Sequence, residues 1–267
     1  MIASIGMYEF AKTRPALDVL WRDVAARLQA RGIADVPDKL TRGRSLASIW
    51  RDPHLLLAQT CGYPLLTELA DTARIVATPV YDVAGCAGAW HRSFIIVRAD
   101  APYRALDELR GTSAAVNGYD SNSGMNLFRA ALAPIAERRP MFASVSVTGA
   151  HAASFAAVAR GDADVAAIDC VSYWFIARES PDLAASVRIL AETPTSPGLP
   201  LITHGETPDA HIEIIRDALD SALASPALRD ARAVLRLTGF AHLDAADYAV
   251  ILDYETAAIA AGYPRLA

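Results

Sequence analysis

Short apolar runs rich in Ile and Val alternate along the chain with longer segments whose apolar residues recur at helical spacing. That is the pattern of an α/β protein with largely parallel strands. Residues 2–6 read as a strand. Residues 15–31 follow as a helix with Leu17, Leu20, Trp21, Val24 and Leu28 on one face and Gly32 as its stop. The same reading places strands at 55–58, 74–77, 93–98, 113–116, 142–147 and 165–168, and helices at 62–70, 106–110, 124–137 and 152–160. Gly111 and Gly161 stand where two of these helices should end. From Pro208 onward the pattern is almost wholly helical.

Two stretches interrupt the alternation. Asp100-Ala101-Pro102 follows the buried strand SFIIVR, and AETPTSPGLP at 191–200 carries three prolines that favour extended chain. Two crossings imply a discontinuous lobe of residues 1–100 with 191–267 and an inserted lobe of residues 101–190, the layout of a two-lobed protein with a ligand cleft.

Composition narrows the class. The chain has 267 residues, 53% hydrophobic and 21% charged, an ordinary globular balance large enough for two lobes. A net charge of −5 gives no basic footprint, so nucleic acid is not an expected partner. The longest stretch without Asp, Glu, Lys or Arg, 140–159, mixes Gly149, His151 and several hydroxyl residues, so no membrane insertion is expected. Cys61, Cys86 and Cys170 have no CxxC spacing, and the six histidines form no metal-ligand pair, so neither metal nor cofactor is expected. An odd cysteine count fits a reducing compartment, and a Cys61–Cys86 bridge stays open. Residues 1–6 have no basic leader region and read as a strand of the fold, so a cytoplasmic location is expected for the chain as written, and a periplasmic one if an export signal belongs ahead of it.

In open α/β sheets ligands sit beyond the carboxyl ends of the strands. The turns there are small and polar: 6–9, which includes Tyr8; 59–63, with Thr60, Cys61 and Tyr63; 117–124; 148–151; and 169–170. Ser121-Asn122-Ser123-Gly124 opens a helix, where small residues let backbone N–H groups reach an anion and the helix dipole favours negative charge. The same residues also serve as an ordinary N-cap. His151 starts the next helix, as a donor to an anionic oxygen or as a local backbone partner. Asp169 ends a strand, as an acceptor for a ligand proton or as a helix cap. Cys61 at a helix start has either some thiolate character or the role of a small buried residue.

The stretches LDELRGTSAAVNGYDSNSGMNLFRAAL, VTGAHAASFAAVARGDADVAAIDCVSYW and ILAETPTSPGLPLIT resemble the phosphonate/phosphate-binding components of ABC transporters, a family with the type 2 periplasmic-binding-protein fold. The resemblance spans about residues 45–203. It implies capture of phosphate, phosphonate or a similar oxyanion between two closing lobes, without covalent chemistry, and an ABC transporter permease as partner. It assigns the grip on the anion to Ser121, Asn122, Ser123 and Gly124, and makes His151 and Asp169 the matching histidine and acid. Aromatic residues of the first lobe complete such pockets, and Tyr8, Tyr63 and Trp90 are the candidates by position. This chain has Asn122 where the family commonly carries a hydroxyl residue, and Asp120 stands beside the turn. The alternative is a cytoplasmic enzyme or ligand sensor on the same scaffold. Cys61 or a Ser123/His151/Asp169 set would then be its reactive groups, or Tyr63, Trp90, Tyr173 and Trp174 would line a site for an aromatic acid.

Overall fold

The computed structural model describes residues 1–267. In chain order its elements are β1 (Ile2–Ser4), α1 (Arg14–Ala30), α2 (Leu46–Trp50), β2 (Leu55–Gln59), α3 (Gly62–Thr67), β3 (Ala73–Tyr81), β4 (Trp90–His91), β5 (Ser93–Arg98), β6 (Thr112–Val116), α4 (Leu127–Leu132), β7 (Phe142–Val147), α5 (His151–Arg160), β8 (Val165–Asp169), α6 (Cys170–Glu179), α7 (Pro181–Ala185), β9 (Val187–Glu192), β10 (Ser196–Pro197), β11 (Leu201–His204), α8 (Asp209–Ala224), α9 (Arg229–Leu235), β12 (Leu237–Ala241), α10 (Ala245–Tyr248) and α11 (Val250–Ala260). No helix is long and apolar enough to cross a membrane.

The chain divides into two compact units, residues 1–82 with 197–248, and residues 83–196 with 249–267. The first is built on a sheet of order β1-β2-β11-β3-β12. β1 and β2 run parallel, whereas β11 is antiparallel to both β2 and β3, and β12 is antiparallel to β3. Leu17, Leu20, Trp21, Val24 and Leu28 of α1 bury the face read from their spacing, together with Ile215, Leu219 and Leu223 of α8 and Leu57 and Val76 of the sheet. Inside this unit the Tyr248 hydroxyl lies 2.8 Å from Thr78 Oγ1 and 2.8 Å from the Gly198 carbonyl oxygen. Burial pushes the phenol's pKa up, so it stays neutral.

The second unit has a sheet of order β7-β6-β8-β5-β9. β6 is parallel to β7 and β8, so the three strands end on one sheet edge, and β5 runs antiparallel to β8 and β9. Behind the sheet, Phe128 and Leu132 of α4 pack with Val116, Phe142 and Val165. The helix expected over 124–137 is shorter: a π-helical turn over Asn122–Asn126 precedes α4, and a 3-10 turn over Ala133–Ile135 closes it.

Three expectations need correction. The sheets are mixed rather than largely parallel. β12 interrupts the predicted helical tail: its alternation, broken by Gly239, is too short to stand out, and pairing with the edge of β3 fixes it as strand. The unit boundaries also differ from 1–100 with 191–267 and 101–190. The crossings fall after residues 82 and 196, with a third after 248. β5 belongs to the second unit because an apolar run buried on both faces needs strand neighbours on each side, and β8 and β9 supply them. The tail belongs there because Arg129 is buried beneath it: its guanidinium donates to the Pro264 carbonyl at 2.8 Å and pairs with Glu255 at 3.2 Å.

Replacing Tyr248 by Phe removes the hydroxyl shared by buried Thr78 and the Gly198 carbonyl. A loss of about 1–3 kcal/mol is expected, the cost of leaving buried polar groups unpaired, read as a lower denaturant midpoint with an unchanged slope.

Candidate functional site

The parallel strands β6, β7 and β8 deliver three turns to one edge of the second unit's sheet: 117–121, 148–150 and Asp169 itself. Backbone bonds tie two of them together, from Thr148 N–H to the Val116 carbonyl at 2.8 Å and from Gly149 N–H to the Asn117 carbonyl at 3.0 Å. Two helical segments open from these turns side by side, at Asn122 and at His151.

The first opening is the π turn. The Asn126 N–H reaches back five residues to the Ser121 carbonyl at 3.0 Å, and Leu127 N–H does the same to Asn122. A widened turn of this kind is uncommon and recurs at functional positions. It is held from behind by side-chain amides. Asn122 Nδ2 donates to Ser196 Oγ at 2.9 Å, Asn126 Nδ2 donates to Asn122 Oδ1 at 3.1 Å and to the Ile251 carbonyl at 2.9 Å, and Arg129 Nη2 donates to Asn126 Oδ1 at 2.6 Å. The buried Ser93 hydroxyl donates to the Ser123 carbonyl at 2.8 Å.

Within the predicted anion grip, the four residues divide their work. Ser121 Oγ accepts from the Gly124 N–H at 3.0 Å and so acts as the cap. The Asn122 amide is engaged at both its nitrogen and its oxygen in the network behind the turn. Gly124 is required by close approach: a Cβ there would lie 1.8 Å from Asn117 Oδ1 and 3.2 Å from His151 Cε1. Ser123 is the member turned toward a second functional group, with its Oγ 2.8 Å from His151 Nε2. Asp120 is exposed, and its carboxylate is folded over Gly118.

The second opening, at α5, has no side-chain cap, because Ala150 occupies the cap position. The Thr148 hydroxyl instead sits 2.7 Å from Ser154 Oγ, one turn inside the helix. Residues 152 and 153 are exposed, and the first N–H groups of α5 have no partner within the helix. His151 Nδ1 is buried without an aligned hydrogen-bond partner, as is Asn117 Oδ1.

Asp169 does two things. Its Oδ1 accepts from Ser172 N–H at 2.8 Å and caps α6, and its Oδ2 lies 2.8 Å from His91 Nδ1, with both side chains almost wholly buried. The imidazole N–H is out of line with the carboxylate, so the contact is chiefly one of charge. Burial alone would make both groups neutral. Their mutual attraction outweighs it, raising the His91 pKa above the ordinary histidine range and lowering that of Asp169. His151 goes the other way: burial lowers its pKa, and the charge on His91 offsets part of the attraction of Asp169.

A Ser-His-Asp triad requires the acid to bond the second imidazole nitrogen. The carboxylate of Asp169 is committed to His91 and Ser172, and His151 Nδ1 has no aligned partner, so the second link of a triad is not made. The remaining predicted residues are placed as follows. Trp90, in β4 of the second unit, is partly buried. Tyr8, Thr60, Cys61 and Tyr63 lie in the first unit: Tyr8 is buried edge-on against Tyr81 at 5.2 Å, Thr60 and Cys61 are buried between β2 and α3, and Tyr63 is partly buried in α3. Sequence reasoning missed His91 and Ser93, and placed Asn117 in a candidate turn without giving it a role. His91 is a lone histidine in a two-residue strand, and nothing near it in sequence marks its carboxylate.

The two-unit α/β architecture is that of periplasmic binding proteins. A binding-protein component of a phosphonate ABC transporter from Pseudomonas aeruginosa superposes with a TM-score of 0.74 at 17% identity, covering 97% of this chain and 86% of that one. A Prochlorococcus marinus protein in complex with methylphosphonate gives 0.71 at 14% identity, covering 96% of each chain. A Xanthomonas citri protein bound to chloride gives 0.70 at 19% identity, covering 97% of each. At these identities the likeness is one of fold. No curated protein matches the chain. Residues 52–248 match the family described as "ABC transporter, phosphonate, periplasmic substrate-binding protein", and the chain belongs to that family.

Removing the His91 side chain takes the opposite charge away from the buried Asp169 carboxylate, and His91→Ala is expected to cost about 3–5 kcal/mol. The pH dependence has a definite sign. The His91 contribution is fully present below the ordinary histidine pKa and is lost as pH rises through its raised folded value. The Asp169 contribution is present above the ordinary carboxylate pKa and is lost as pH falls through its lowered folded value. Denaturant titrations should therefore show the wild-type advantage over His91→Ala at full size near about pH 6 and shrinking toward alkaline pH.

Proposed function

We propose that the protein is a solute-binding component that captures a small oxyanion, phosphate or a phosphonate, and delivers it to an ABC transporter permease. Family membership supports the transport role. The ligand class rests on one observation above the rest: a hydroxyl and an imidazole from two separate helical openings, Ser123 and His151, meet at 2.8 Å on the sheet edge where three parallel strands end. The first N–H groups of α5, which no side chain caps, add donors and the positive end of a helix dipole.

The grip is made of hydrogen-bond donors rather than of a formal cation. His151, held below its ordinary pKa by burial, is neutral at pH 7, and the histidine whose pKa is raised, His91, already faces Asp169. The Ser123–His151 contact is one hydrogen bond whose direction the imidazole tautomer sets, and a ligand oxygen that accepts from these groups replaces it. Asn122 braces the turn through its amide, so a donor to the ligand at this position is its backbone rather than its side chain. The fold neighbours supply the probe, since the Prochlorococcus marinus protein was captured with methylphosphonate.

Titration calorimetry with phosphate and methylphosphonate tests the reading. Ser123→Ala and His151→Ala are each expected to weaken binding about 10- to 100-fold, the range for a hydrogen bond to a charged group. Asn122→Ala should instead lower stability more than affinity per folded molecule. Unchanged affinity in both Ser123→Ala and His151→Ala would overturn the assignment. A thermal-shift series should show stabilisation of about 2.7 kcal/mol at a hundredfold excess over Kd, and a flat response across oxyanions would contradict the ligand class.

A further inference from the structure

Cys86 and Cys170 stand with their sulfurs 3.5 Å apart, and neither is bridged. The chain brings them together by two local devices. Cys170 opens α6 directly after the capping Asp169 and is buried, with its N–H bonded to the Arg92 carbonyl at 3.1 Å. Cys86 lies in the turn that begins the second unit, where its N–H bonds the Val83 carbonyl at 3.1 Å. Gly85 makes the approach possible. It has φ of +93°, and a Cβ there would lie 2.6 Å from Cys170 Cβ and 3.0 Å from the Phe94 ring. Only glycine lets this turn close onto α6.

We propose that Cys86 and Cys170 form a dithiol site that small disulfide oxidants convert to an intrachain disulfide, covalently tying the turn at 83–86 to the first residue of α6. The sulfurs need to approach by about 1.5 Å to reach bonding distance, and Cys86, the partly buried member, has the freedom and the access to begin the reaction. Its thiolate attacks one sulfur of oxidised glutathione and expels one glutathione thiolate, leaving a mixed disulfide. Cys170 then gives up its proton to solvent and attacks the Cys86 sulfur, expelling the second glutathione. Two protein thiols are oxidised and one reagent disulfide is reduced to two thiols. The order follows from the surroundings: the contact with Cys86 and burial both hold the Cys170 thiol protonated until Cys86 has been capped.

The tie lands beside the charge pair of the site. Cys170 is the residue after Asp169, whose carboxylate holds His91 and caps α6, so oxidation anchors the end of the helix on which that carboxylate depends. Cys61, at the start of α3 in the first unit, takes no part in the reaction.

The test uses the full chain, reduced, freed of reductant, and incubated with excess oxidised glutathione at mildly alkaline pH before alkylation. Free thiols should fall from three to one, with a mass loss of two hydrogens and a non-reduced peptide joining Cys86 to Cys170. Cys61→Ser, which leaves the pair intact, should fall from two free thiols to none, and Cys86→Ser should form no crosslink. The midpoint of thermal unfolding should rise on oxidation and return with dithiothreitol, because the bond joins residues 84 apart and restricts the unfolded chain. Three thiols that survive oxidation, a glutathione adduct that persists on Cys86, or a bridge that includes Cys61 would each overturn the proposal. None of these readouts depends on the oxyanion reading.

Discussion

A buried amide has to find its partners inside the protein, and the candidate site depends on how Asn122 meets that demand. Its nitrogen is bonded to Ser196 and its oxygen to Asn126, which in turn holds the Ile251 carbonyl and Arg129. An unpaired amide in this position would cost a few kcal/mol. The network therefore holds the widened turn in one arrangement, with the Ser123 hydroxyl turned to His151 and with Gly124 against Asn117. It also explains why the C-terminal tail, which supplies Ile251, Glu255 and Pro264, packs with the second unit rather than with the helices before it.

One carboxylate sorts two histidines into different roles. Asp169 lies against His91 and raises its pKa, while burial lowers that of His151, which the same carboxylate favours and His91 opposes. Two titratable groups pushed apart by their surroundings are a common mark of a functional site. Here the one raised, His91, pairs with the cap of α6, and the one lowered, His151, carries the hydrogen bond to Ser123. The Cys86–Cys170 pair adjoins this arrangement through Cys170, so helix capping, charge pairing and thiol chemistry meet at the first turn of α6.

Much of the fold was readable in the sequence because burial leaves a periodic trace. The runs at 93–98 and 142–147 became β5 and β7 with the bounds their apolar and β-branched residues suggest, and the stripe of Leu17, Leu20, Trp21, Val24 and Leu28 became the buried face of α1. Strand pairing leaves no such trace: SFIIVR looks the same in either unit, and only its neighbours β8 and β9 decide. The site was legible as a set of turns but not as a set of directions. Ser121, Asn122, Ser123 and Gly124 read alike as cap or anion grip, and side-chain orientation divided them into cap, brace, partner of His151 and close approach. His91 was invisible for the converse reason, since a histidine far along the chain from its acid carries no local signal.

The central claim is that Ser123 and His151 together receive an oxygen of a captured oxyanion. A crystal structure of the protein grown with methylphosphonate tests it most directly. The account predicts phosphonate oxygens within about 2.6–3.2 Å of Ser123 Oγ and His151 Nε2, with the Asn122 amide still bonded to Ser196. A phosphonate bound elsewhere, with the Ser123–His151 contact undisturbed, would contradict it.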